Sequence, residues 1–105
     1  MTRQNYRVNV YVGASSRSMT SLPSVLDTGA GSSFVRKDLL SPKLLERVQP
    51  LPAQPDIRDA NNQRVVIEGR VRLRVRLGSR SDWVWFNVVR NLGTDMILGL
   101  SLIHI

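Results

Sequence analysis

The chain has 105 residues, 42% of them hydrophobic and 22% charged, which suits one globular domain and excludes a disordered chain. Cysteine is absent and His104 is the single histidine; this excludes a disulfide framework, a thiol nucleophile, a zinc finger and an iron–sulfur site, and leaves no basis for a Ser-His-Asp triad. Fifteen Lys and Arg against eight Asp and Glu give +7, nearly all of it arginine because Lys37 and Lys43 are the only lysines, and such a surface suits nucleic acid or an acidic partner.

No apolar run reaches the ~18–20 residues needed to span a membrane. The polar start, Met1 to Asn5, predicts no secretory leader, so a soluble chain without a membrane partner is expected. The first element is Tyr6 to Val12. Val8, Val10 and Val12 alternate with Arg7, Asn9 and Tyr11, the period of a strand with one wet face. Gly13 to Thr20 is small and polar and reads as a loop. Ser24-Val25-Leu26 is a short apolar strand that runs into Asp27-Thr28-Gly29-Ala30-Gly31, and Phe34-Val35 is another. Ser41-Pro42 predicts an N-cap and first helical position.

Pro50 to Pro55 holds three of the five prolines and reads as extended loop. Ile57 to Ile67 predicts a hairpin, with Asp59-Ala60-Asn61-Asn62-Gln63 as its polar tip and Arg64 to Ile67 as its returning strand. Gly69 marks a bend or bulge. Next comes the most regular strand, with Val71, Leu73, Val75 and Leu77 on one face and Arg70, Arg72, Arg74 and Arg76 on the other. Gly78 to Asp82 reads as a turn and Trp83 to Val89 as the partner strand. Asp95 leads into Met96-Ile97-Leu98-Gly99, and Leu100 to Ile105 predicts a short terminal helical turn. Many short strands with frequent turns predict a small, closed or partly open all-β barrel forming one domain over residues 1–105.

Asp27 is the candidate for chemistry. It ends an apolar strand and is followed by a hydroxyl and small residues that allow close backbone approach. An Asx-type turn is the structural alternative for the same residues. Asp27 is followed 70 residues later by Ile97, in the apolar segment Ile97-Leu98-Gly99.

The order strand, Asp-Thr-Gly-Ala, Pro-rich loop, hairpin, two strands and Ile-Leu-Gly resembles the retropepsins, the aspartic proteases of retroviruses and LTR retrotransposons. The resemblance covers Tyr6 to Leu102. It implies an acid-protease barrel with one short C-terminal helix, and a homodimeric aspartic endopeptidase that processes a polyprotein. It implies Asp27 as the catalytic acid/base and Thr28, Gly29 and Ala30 as the active-site turn. Thr28 bonds across the dimer axis in this reading, while Ile97, Leu98 and Gly99 brace Asp27 from behind. Asp59, Ala60, Asn61, Asn62 and Gln63 become the tip of a flap over residues 57–68. The implied chemistry uses no cofactor and no metal, and the implied setting is the cytoplasm or a virus-like particle.

That chemistry needs two carboxylates, and none of the other seven acids repeats the apolar-Asp-Thr-Gly setting. A second copy of the chain must therefore supply the second Asp27. The family continues into a C-terminal strand that interleaves with its partner, whereas six residues follow Gly99 here. A trimmed chain, a dimer held by another surface, and a chain largely monomeric on its own all fit that departure, which also keeps open a module for dimerisation or peptide binding with little or no catalysis. A basic nucleic-acid-binding barrel is the less favoured alternative. It rests on the net charge and the arginine ladder, which otherwise reads as a solvated face that resists edge pairing. Whether Trp83 and Trp85 share that face depends on strand register.

Overall fold

Strands with one apolar face must pool those faces in a shared interior, and a closed barrel does this while leaving no free edge. The computed structural model describes residues 5–15, 17–27, 31–58 and 61–99. Its strands are β1 (Asn5–Gly13), β2 (Met19–Asp27), β3 (Ser33–Arg36), β4 (Ile67–Leu77), β5 (Arg80–Val89) and β6 (Met96–Gly99). They close into a barrel in the order β1-β2-β6-β3-β5-β4. A 3-10 turn at Lys37–Leu39 precedes the short helix α1 (Pro42–Glu46), whose N-cap Ser41 Oγ accepts from Leu44 N at 3.3 Å.

The core follows the alternation. Val10 and Val12 of β1, Val71, Leu73 and Val75 of β4, and Val84, Phe86 and Val88 of β5 are buried together with Val35, Met96 and Leu98. Arg70, Arg72 and Arg76 stand outside as exposed residues and Arg74 is half-buried.

Several elements differ from expectation. β2 begins at Met19, well before Ser24, because its first half pairs with β1 from Gly13↔Met19 onward. Pro23 is accommodated there because β6 joins β2 only from Ser24, leaving an edge that needs no N–H at that position. The returning strand of the 57–67 hairpin starts only at Ile67. Arg64 to Val66 hold a single bridge, Arg58↔Arg64, with Val65 N donating to Ile57 O at 2.8 Å. The turn after β4 is two residues, Gly78-Ser79, rather than five, with Gly78 at φ 63 as a two-residue hairpin with glycine first requires. The helical turn expected over 100–105 lies outside the described residues.

Gly69 sits at a bulge, where the β4–β5 register shifts between Ile67 and Gly69. A Cβ there would lie 2.7 Å from Gln49 O and 2.6 Å from Val48 Cγ1. The glycine lets Gln49 and Arg70 exchange backbone hydrogen bonds of 2.8 and 2.9 Å, which dock the chain after α1 onto β4.

β6 carries the topology that matters most. It runs parallel to β2 and antiparallel to β3, and so separates the two strands joined by segment 28–32. Met96 pairs with Ser24 and Gly99 with Asp27.

Candidate active site

The site is built on the ends of β2, β3 and β6. Alternation along β2 turns Ser24 and Leu26 toward the interior and would turn Asp27 outward with Val25. Val25 is half-buried, yet Asp27 is only 4% exposed. A carboxylate at a strand end normally keeps its water, because removing it is costly without polar partners. The burial of Asp27 therefore marks this strand end as different from the others.

Gly99 is the register partner of Asp27 and is buried. Its N–H donates to Ser33 Oγ at 3.0 Å. Ser33 is 1% exposed and its carbonyl accepts from Asn87 Nδ2 at 3.3 Å. One serine thus ties the first residue of β3 to the last residue of β6 and to the side of β5. Asp27 and Ser33, the residues flanking segment 28–32, consequently both stand beside Gly99. Ser24, also buried, bonds Leu22 O through its Oγ at 3.0 Å.

The structure brings Asp27, Leu98 and Gly99 together. Leu98 is fully buried and points into the core, while Ile97, half-buried, alternates to the other side and pairs with Val25 and Phe34. Thr28, Gly29 and Ala30, and Asp59 and Ala60 of the hairpin tip, lie outside the described residues. Asn61, Asn62 and Gln63 are exposed, and Asn62 takes φ 60, a left-handed turn conformation that asparagine tolerates.

The hairpin is anchored by a residue that sequence reasoning missed. Gln54 Nε2 donates to Ile67 O at 2.6 Å and its Oε1 accepts from Ile67 N at 3.1 Å. One side-chain amide thereby substitutes for a strand at the start of β4. A cavity of about 480 Å³ lies between hairpin residues Gln63 to Val66 and Arg90 and Asn91 after β5. At its wall, Glu68 Oε1 accepts from Arg90 Nη2 at 2.8 Å and pairs with Lys37 Nζ at 3.5 Å. Burial pushes the Glu68 carboxyl up, but the hydrogen bond and charge of Arg90, with Lys37 behind them, outweigh it and hold the group below its ordinary value.

Among the described residues no group of three or more His, Asp or Glu is placed to hold a metal ion. Among the same residues no helix is long and apolar enough to cross a membrane. No protein-family model matches the chain, and no curated protein matches it.

Proposed function

We propose that this chain is one half of a homodimeric aspartic endopeptidase of the retropepsin type. The observation that carries the reading is the buried Asp27 at the end of β2, beside Gly99 of a β6 strand lodged between β2 and β3. A buried carboxylate held on three strand ends is a fixed point, which is what proton transfer to a positioned water requires. The order of Asp-Thr-Gly-Ala, hairpin and Ile-Leu-Gly along the chain supports the same reading.

In this mechanism two copies of Asp27 face each other across a two-fold axis. Carboxylates about 3 Å apart do not both ionise, so the pair shares one proton. The ionised member takes a proton from water, and that water attacks the peptide carbonyl. The protonated member donates to the carbonyl oxygen, giving a tetrahedral diol. The proton taken from water then passes to the nitrogen as the C–N bond breaks, and the other carboxylate recovers a proton from a diol hydroxyl, so the pair again shares one proton. Thr28 fixes the two turns to each other, and Gly29 and Ala30 admit the substrate backbone. The 57–68 hairpin serves as the flap, with Gln54 as its anchor. The substrate is an extended segment of a polyprotein, and the setting is the cytoplasm or a virus-like particle.

Incubation with a mixed peptide library at mildly acidic pH tests the proposal. Wild-type protein is expected to cleave, with activity falling more steeply than linearly on dilution near the dimer dissociation constant, and Asp27→Asn is expected to be inactive. Equal cleavage by Asp27→Asn would overturn the reading.

A further inference from the structure

The register settles which side chains share the outer face of β4 and β5. Arg70, Arg72, Arg74 and Arg76 stand opposite Asn87, Trp85, Trp83 and Ser81. Directly paired residues of an antiparallel ladder lie on one face, so the arginines and both tryptophans of the chain form a single surface. Tyr11 of β1 pairs with Arg76 and extends it onto a third strand.

The guanidiniums alternate with rings. Arg70 lies 4.5 Å from the centre of Trp85, Arg72 5.0 Å and Arg74 5.7 Å from Trp83, and Arg76 4.5 Å from Tyr11. The rings keep much of their area in water, at 42% for Trp85, 37% for Trp83 and 42% for Tyr11. Stacking on a ring orients a guanidinium but leaves its charge uncancelled. Among the described residues, none of the four arginines makes an ion pair with a carboxylate. Glu68, the nearest acid along β4, is already engaged by Arg90 and Lys37. Arg74 donates from Nη2 to Ser81 Oγ at 2.8 Å, while its buried Nε has no hydrogen-bond partner.

We propose that this outer face binds single-stranded nucleic acid, its arginines tracking phosphates and its aromatic rings stacking on unpaired bases. Same-face residues on a strand recur every ~6.6–6.8 Å, a repeat of the same order as successive phosphates on an extended strand. A row of uncancelled positive charge is complementary to a polyanion, and interleaved half-exposed rings add what a merely solvated arginine face lacks. The surface is independent of Asp27.

The test uses the full chain and a short, fluorescently labelled single-stranded oligonucleotide of mixed sequence, titrated at several salt concentrations. Because Trp83 and Trp85 are the only tryptophans, binding is expected to quench intrinsic fluorescence. Arg72→Gln with Arg74→Gln is expected to make the slope of log affinity against log salt shallower by about 1.4, two phosphates at about 0.7 each on a single strand. Trp85→Ala should weaken binding roughly tenfold with the slope unchanged. Lys43→Gln with Arg47→Gln removes the same charge from the α1 region and should leave most of the affinity. Thermal midpoints confirm that each variant is folded, and Asp27→Asn should bind as the wild type does. The proposal is overturned by no binding at low salt, or by unquenched binding that the α1-region pair weakens as much as the β4 pair. Tighter binding of a duplex, or of acidic phospholipid vesicles, would overturn it equally.

Discussion

Asp27 and Gly99 face each other as register partners at the ends of two parallel strands, although they lie far apart in the sequence. The pairing places the buried carboxylate next to a residue without a side chain, whose N–H is taken by Ser33 Oγ. Ser33 is thus the closing member of the arrangement. Ser33→Ala leaves the Gly99 N–H buried without this acceptor, a loss of about 1–3 kcal/mol. Urea denaturation measures it, and Ser33→Thr, which keeps the hydroxyl, should recover most of the loss.

Gly69→Ala should destabilise the barrel by about 1–3 kcal/mol, because the added methyl meets the Gln49 carbonyl, and that carbonyl is held by Arg70 N. Thermal unfolding reads the effect. An alanine variant as stable as the wild type would show that the segment after α1 is free to move off β4.

Gln54→Ala removes both bonds to Ile67, at about 0.5–1.5 kcal/mol each. Its effect should be local: amide exchange across 61–67 should quicken more than exchange in β5. Uniform quickening throughout the barrel would mean that Gln54 holds the whole fold rather than the hairpin.

Glu68 makes one contribution to the pH dependence of stability. Its folded carboxyl is held below the ordinary value of 4.5 by Arg90 and Lys37 against the opposing push of burial. Its contribution to stability is complete above the unfolded value and disappears as pH falls through the folded one. Glu68→Gln should therefore reduce stability at neutral pH and flatten the acid limb of the thermal midpoint against pH. An acid limb unchanged in the variant would assign that limb to other carboxylates.

The alternation Val71 to Leu77 was legible in the sequence because a half-buried strand has only one way to face, and Asn62 and Gly69 announced a turn and a bulge through their backbone tolerance. The start of β2 was hidden by Ser21 and Pro23, residues with poor strand character that β1 nonetheless pairs. The common face of Trp83, Trp85 and the arginines needed a register that no single strand encodes. Ser33 and Gln54 were missed because each acts on backbone far along the chain, Ser33 on Gly99 and Gln54 on Ile67. Asp27 stood out by its neighbours in sequence, but its burial against the alternation of β2 emerges only when β6 is lodged beside it.

The most direct measurement mixes wild-type protein with Asp27→Asn at fixed total concentration, above the dimer dissociation constant, and follows peptide cleavage. If each site needs Asp27 from two chains, activity falls as the square of the wild-type fraction, to about a quarter at an equal mixture. A linear fall to about one half would contradict the shared site, and undiminished activity would remove Asp27 from the chemistry altogether.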